Sequence, residues 1–390
     1  MSTIGNATWD AFVTPTFLEF FAGGGMAREG LGAEWRCLFA NDFDPAKGRA
    51  YAARWGAAEL TLGDVGALSL ADLPMARADL AWASFPCQDL SLAGAQAGLA
   101  GERSGSFMPF WLLMLKLRDA GRAPTVIVLE NVCGLLTSNG GRDFSDICSM
   151  LDRGGYRFGA LVMDAADFLP QSRPRLFIVA VERGLAINGH EKPDEHWHPA
   201  RLRAAHDALR ADLKAEWLWI APPRPPNRNT RFADMIEEAP HGVVWHTSRE
   251  TARLLAMMSP LNCAKVNALR SARGRSVGAV YKRTRVESGI KVQRAEVRFD
   301  DMAGCLRTPG GGSSRQIILL IDEGRVRSRL ISARETARLM GLPDEYPLPA
   351  RYNDAYHLTG DGVAVPVVRH LARWILEPAL VQASMAFAKA

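Results

Sequence analysis

Cysteine is sparse in this chain and irregularly placed. Its six cysteines, at positions 37, 87, 133, 148, 263 and 305, make no CxxC pair and no metal-ligand spacing. A zinc site is therefore not expected, and the thiols read as reduced ones in a reducing compartment. Long apolar runs are missing too: no stretch approaches the ~20 residues of a membrane span. Met1 to Asp10 has no positive region followed by an apolar one, so no secretory signal is expected. A Walker lysine is also lacking, which argues against ATP hydrolysis.

What is present points to a globular protein. The 390 residues are 48% hydrophobic and 23% charged, enough for a sizeable core and against global disorder. That length suggests two domains, or one large domain carrying an insertion. The net charge of +5 is modest but unevenly spread: between Lys265 and Arg298 ten Lys/Arg stand against two acids, Glu287 and Glu296. Such clustering is the footprint of a phosphate-binding surface, although a solvated face of an arginine-rich protein would look similar.

The first half alternates short apolar runs with helical patterns, the signature of a parallel α/β sheet. Phe17–Phe21, Arg36–Ala40, Ala78–Ala83, Thr125–Leu129 and Leu176–Val181 read as strands, and Phe107–Leu117 as a buried helix. The character changes near Gly184, after which the chain is rich in Pro, Arg and His with weak periodicity to about Arg327. This predicts a second, smaller and more irregular domain. Helical character returns at Ser332, and Val363–Leu376 reads as a helix packing back on the core. Arg-Glu-Thr-Ala-Arg-Leu occurs at 249–254 and again at 334–339, each copy after a capping-box pattern, Thr247…Glu250 and Ser332…Glu335.

Several segments carry chemistry at expected strand ends. Phe20-Phe21-Ala22-Gly23-Gly24-Gly25 closes the first strand and opens a helix, where glycines let backbone approach a ligand. Asn41-Asp42-Phe43 ends the next strand, and an acid there usually meets ribose hydroxyls. Gly63-Asp64-Val65 adds a carboxylate for an exocyclic amine; the three together suggest an adenosine-containing cofactor. In Phe85-Pro86-Cys87-Gln88, a cysteine between a strand and a Gly/Ala/Ser-rich loop is placed like a nucleophile, or is a small buried hydrophobe. Glu130-Asn131-Val132 puts a carboxylate in the crevice of a parallel sheet, with Asn131 as the better candidate for a helix cap. In Gln171-Ser172-Arg173-Pro174-Arg175, two guanidiniums on alternate residues need an anionic or carbonyl partner if they point inward.

Taken in order, FAGGG, ND, GD, FPCQ, ENV, QSRPR, RETARLMGLPDEY and Gly360-Asp361-Gly362-Val363 resemble the DNA cytosine-5 methyltransferases, over about 1–183 and 327–390. The resemblance implies an α/β, Rossmann-like S-adenosylmethionine-dependent methyltransferase sheet with an inserted target-recognition domain. Its divisions would be 1–183 catalytic, 184–327 recognition and 328–390 a hinge returning to the catalytic domain. It implies that Cys87 adds to C6 of a flipped-out cytosine and that Glu130 holds N3 and the exocyclic amine. Arg175 would bind the O2 side, and Arg173 would support the Cys87 region. For the cofactor, Phe21, Gly23 and Gly25 would line the methionine end and Asp42 would take the ribose. Phe43 and Val65 would sandwich the adenine, Asp64 would meet its amine, and Pro86 and Val363 would border the pocket.

The loop Gln88–Gly105 would close over the base, with Gln88, Ser91 and Arg103 on the DNA. In the recognition region, Arg283, Arg285, Arg307, Arg315 and Gln316 are the expected DNA contacts. The implied partner is double-stranded DNA, with a cognate restriction endonuclease as a functional partner if the enzyme is restriction-linked rather than orphan. A soluble monomer in a bacterial or phage-infected cytoplasm, at the nucleoid, completes the expectation. The alternatives are a tRNA cytosine-5 methyltransferase and a catalytically inert DNA-binding regulator. Departures from the family pattern are Glu19 for Asp, Asp42 for Glu, Gly-Asp-Gly-Val for Gly-Asn-Ser/Ala-Val, and Cys305-Leu306 for a Thr-Leu pair.

Overall fold

Every apolar run of the first half becomes a strand in the computed structural model, which describes residues 14–86, 105–185, 189–272, 274–306 and 315–387. In chain order these elements are β1 (Thr16–Phe20), α1 (Met26–Leu31), β2 (Arg36–Asp42), α2 (Pro45–Trp55), β3 (Leu60–Leu62) and β4 (Leu80–Ala83). They continue with α3 (Phe107–Asp119), β5 (Val126–Val132), α4 (Arg142–Arg153), β6 (Tyr156–Asp164) and β7 (Pro174–Glu182). The seven strands form one sheet in the order β3-β2-β1-β4-β5-β7-β6. All run parallel except β7, which lies antiparallel to β5 and β6.

Strands β1 and β4 are buried along their whole length, as continuous apolar runs covered on both faces must be. Phe17, Trp82, Val128 and Val179 belong to one core; Leu18, Ala81, Ile127 and Ile178 belong to the other. Helix α3 closes the second with Phe107, Phe110, Trp111, Met114 and Leu117. Strand order reverses between β1 and β4, so their carboxyl ends open a crevice, the usual ligand position in such sheets.

Helices α5 (Ala200–Asp207) and α6 (Ala211–Ala215) follow. The composition change near Gly184 does not coincide with a change of core. Trp197 and Ile220 pack in the first core, and Leu202, Leu213 and Trp217 in the second. A separate core starts only with α7 (Ser248–Ala256) and α8 (Pro260–Ala272), which cover β8 (Arg275–Glu287), β9 (Ile290–Arg298), β10 (Ile317–Asp322) and β11 (Arg325–Leu330). These strands form an antiparallel sheet in the order β11-β10-β8-β9, so the middle region is more regular than its composition suggests.

The chain then returns through α9 (Ala333–Leu339), α10 (Tyr352–Asp361), α11 (Val365–Leu371) and α12 (Glu377–Phe387). The helix expected over Val363–Leu376 is divided: α11 gives way to one π-helical turn, Ala372–Leu376, before α12. Helix α11 lies so close to α1 that a Cβ on Gly30 would sit 2.4 Å from Val368 Cβ. No helix among the described residues is long and apolar enough to cross a membrane.

Candidate active site

The carboxyl ends of β1, β2, β4 and β5 meet the end of α10 and the turn after it around a cavity of about 510 Å³, a volume typical of small-molecule sites. The chain leaves β1 through Phe21 with φ 57°, a left-handed conformation rare for a bulky side chain, and Gly23 follows at the same φ. The Gly23 amide donates to Asp42 Oδ2 at 2.7 Å, and the Asp44 amide to Asp42 Oδ1 at 2.8 Å. Asp42 thus faces the cavity while tying the β1 turn to the β2 turn.

Phe21, Gly23, Asp42, Phe43, Pro86 and Val363 all line this cavity, together with Glu130 and Arg175. Three expected lining residues do not. A Cβ on Gly25 would meet Trp55 Nε1 at 2.6 Å and Tyr51 at 2.9 Å, so this glycine faces α2 and permits close packing there. Asp64 turns its carboxylate back onto the Gly66 amide at 2.8 Å as a helix cap. Val65 is buried in the second core with Phe20 and Phe39. Gly25, Asp64 and Val65 are thus engaged in packing and capping and lie outside the lining of this cavity.

Glu130 is buried at the end of β5, and its Oε1 lies 3.3 Å from Arg175 Nε on the neighbouring strand β7. Asn131 is not a helix cap: its amide donates to the Phe85 carbonyl at 3.0 Å and so fixes the end of β4 beside β5. Arg173 points elsewhere. Its guanidinium donates to the carbonyls of Leu306 (3.0 Å), Gly360 (2.7 Å) and Gly362 (2.7 Å) and to Cys305 Sγ at 3.3 Å. Burial, then the nearby Arg175 charge, pull its pKa down to about 10, which leaves it cationic at neutral pH. Both guanidiniums therefore have the inward partners that their spacing calls for, a carboxylate for one and carbonyls for the other.

Cys87, Gln88, Ser91, Arg103 and Arg307 lie outside the described residues. Arg283 and Arg285 are exposed on β8, and both pair with Glu296. Gln316 is not a surface contact: it is 3% exposed, and its amide donates to the Gly304 carbonyl at 2.5 Å. Its expected approach to DNA is corrected, because β10 begins there and draws it inward. Arg315 is half-buried against Asn353 and the Tyr352 ring.

Residues missed in the sequence also shape the cavity. Lys47 and Asp361, both in its lining, form an ion pair of 2.7 Å. Burial is the largest single influence and pulls the Lys47 ammonium down, but the charge and hydrogen bond of Asp361, with the charges of Asp42 and Asp44, together hold it above its usual pKa. Met26 fills the space beside Gly362, where a Cβ would come within 2.3 Å of its sulfur. Glu19 is fully buried in the wall, with Oε1 3.4 Å from the Arg28 amide and Oε2 without a partner among the described residues. Neighbouring positions of FPCQ and ENV at adjacent strand ends could have revealed Asn131; nothing local marks Lys47 or Met26.

Known proteins align with this arrangement along almost its full length. The family model for C-5 cytosine-specific DNA methylase matches residues 15–377. The type II methyltransferase M.BsuFI of Bacillus subtilis is 26% identical over 92% of this chain and 71% of its own. M.HpaII of Haemophilus parainfluenzae is 24% identical over 93% and 89%. Among solved structures, the Dnmt2 methyltransferase of S. pombe superposes with a TM-score of 0.58 at 18% identity, covering 93% of this chain and 99% of that one.

Proposed function

Because the chain belongs to the family of C-5 cytosine-specific DNA methylases, we propose that it methylates C5 of a cytosine flipped out of a specific duplex DNA sequence, using S-adenosylmethionine. The observation that carries this reading is the Glu130–Arg175 pair in the wall of the strand-end cavity. It stands on the strand next to β4, which leads directly into Phe85-Pro86-Cys87.

The cavity suits the methyl donor. Glu19 Oε2, buried and without a partner among the described residues, would accept from a ligand ammonium, Asp42 offers its carboxylate to ribose hydroxyls, and the exposed Phe43 ring offers a face to adenine. When bound, S-adenosylmethionine supplies an electrophilic methyl group on a sulfonium. Phe21, Gly23, Asp42, Phe43 and Val363 would hold it, with Pro86 between it and the nucleophile.

Cys87, as thiolate, would form a bond to C6 of the cytosine and push electron density toward C5. Glu130 would accept from the exocyclic amine and share a proton with N3, stabilising the negative charge that appears on the ring. Arg175 keeps that carboxylate oriented and would face the O2 side. Once C5 has accepted the methyl group, loss of the C5 proton and departure of the Cys87 thiolate restore the aromatic ring. A stacked base hides C6, so the cytosine must leave the helix first. Reading of the target is assigned to the lobe built on β8–β11. A cognate restriction endonuclease is the natural functional counterpart, in line with the type II names of the relatives.

Incubation with methyl-labelled S-adenosylmethionine, unmethylated duplex DNA and bulk tRNA tests the reading. Label is expected in the C5 position of cytosine in duplex DNA, and Cys87→Ala should abolish it while DNA binding persists. Label in tRNA alone would overturn the substrate, and a methylating Cys87→Ala protein would overturn the mechanism.

A further inference from the structure

A site for S-adenosylmethionine must meet an adenine, ribose hydroxyls, an ammonium and a carboxylate. Phe43, Asp42 and Glu19 suit the first three. The carboxylate needs a donor, and the cavity is short of them. Five acids line it, Glu19, Asp42, Asp44, Glu130 and Asp361, against two cations, Lys47 and Arg175. In the turn after β1, the amides of Ala22, Gly23 and Gly25 already donate to the Asn41 carbonyl, to Asp42 Oδ2 and to the Ala22 carbonyl. Arg175 pairs with Glu130 at the end of β5, three strands away from β2 and its Asp42. That leaves Lys47 as the cation on the cofactor side.

Lys47 stands in the first turn of α2, directly after β2, and its own amide donates to Asp44 Oδ1 at 3.4 Å. Its side chain is largely buried, and Nζ donates to Asp361 Oδ2 at 2.7 Å. Asp361 in turn stands on fixed backbone, because Arg173 donates to the carbonyls on either side of it, Gly360 and Gly362, at 2.7 Å each. The Asn usual at this point of the family motif would bring no charge to hold an ammonium. Around this pair the return segment closes on the β1 turn: a Cβ on Gly24 would lie 2.8 Å from Leu358, and Gly362 abuts Met26. An ammonium has three N–H donors, so Nζ can keep Asp361 and still donate to a ligand. The neighbouring Asp42 and Asp44 charges help to keep it protonated.

We propose that Lys47 is the carboxylate donor of this site, giving one hydrogen to Asp361 and another to the methionine carboxylate of S-adenosylmethionine, with Asp361 as the residue that positions it. This rests on the S-adenosylmethionine reading above. A hydrogen bond between two ionised groups is about twice as strong as a neutral one. A site built around such a bond rejects an analogue that lacks the partner group, because its own polar atom is then left unmet. Decarboxylated S-adenosylmethionine keeps the adenosine, the sulfonium and the ammonium and loses only the group assigned to Lys47. The protein should therefore separate these two ligands, and Lys47 should be the reason.

Calorimetric binding of both ligands to the full chain and to Lys47→Met tests this without any turnover. Wild type should bind the decarboxylated analogue at least about tenfold more weakly than S-adenosylmethionine, the least that a charge-assisted hydrogen bond is worth. Lys47→Met should lose about tenfold for S-adenosylmethionine and less than about twofold for the analogue, so that the two ligands become nearly equal. If Lys47→Met does not fold, Lys47→Gln carries the same comparison. A wild type that binds both ligands equally overturns the proposal. So does a variant that matches wild type on S-adenosylmethionine, or one weakened equally for both ligands, since the lysine would then act on the shape of the site alone. A wild type that binds neither ligand overturns the S-adenosylmethionine reading itself.

Discussion

Glu19, near the end of β1 in the cavity wall, is fully buried, and burial pushes its carboxyl up to about 8, against smaller pulls from the Arg28 amide and charge. In the unfolded chain the same group ionises near 4.5. The folded state therefore holds a proton that the unfolded state releases between these values. The stability Glu19 contributes is complete below about 4.5 and is lost as pH rises through 8. Glu19→Gln fixes the neutral form, so its melting temperature should hold between pH 5 and 8.5 while that of wild type falls; parallel melting curves would contradict this. Two other cavity residues explain departures in the last motif. Asp361 has an ammonium to meet, since Lys47 reaches it at 2.7 Å, and Gly362 leaves room for the Met26 thioether. Each altered position has its counterpart more than three hundred residues earlier.

At the scale of elements, the twin hexapeptides show one local code in two settings. Both open helices with complete capping boxes, Thr247 with Glu250 and Ser332 with Glu335. The first box is exposed. In the second, Glu335 is fully buried, accepts from Arg329 Nη1 at 2.8 Å and from the Glu237 amide at 2.7 Å, and Arg329 is buried as well. Glu335→Ala should cost about 3–5 kcal/mol, because it strands the Arg329 charge, whereas Glu250→Ala should leave the urea midpoint nearly unchanged. Equal midpoints would show that the Arg329 pair contributes nothing beyond the cap.

Cap chemistry is local, which is why both helix starts were legible, as were β1, β2, β4, β5 and β7 from their apolar runs. The strands β8, β9 and β11 were not. Their alternation sets Arg and Lys against Val and Ala, as in Arg325-Val326-Arg327, so no run of apolar residues marks them. Motif residues at strand ends, such as Glu130 and Asp42, were legible because a parallel sheet gathers its carboxyl ends in one place. Gly25 and Val65 sit in the same motifs but face packing partners that only the fold reveals, and Asp64 caps the turn that follows it.

Over the whole molecule, Arg173 joins three distant stretches: its own approach to β7, residues 305–306 leaving the β8–β9 hairpin, and residues 360–362 at the cavity. Arg173→Met would leave three buried carbonyls without this donor, at about 1–3 kcal/mol each before relaxation. We expect a net loss of at least about 3 kcal/mol in urea unfolding, with faster hydrogen exchange at 303–306 and 360–363; wild-type stability and protection would remove Arg173 from this role. The cavity itself spans the chain in the same way. Gly23 and Gly362 both line it although about 340 residues separate them. At the roughly 5–20 residues per second of ribosomal synthesis, the first wall waits roughly 20–70 s for the last. A growing chain thus has its Phe-Pro-Cys-Gln tetrad long before it has a finished seat for a methyl donor, and the order of translation alone delays the onset of methylation until the return segment has been made.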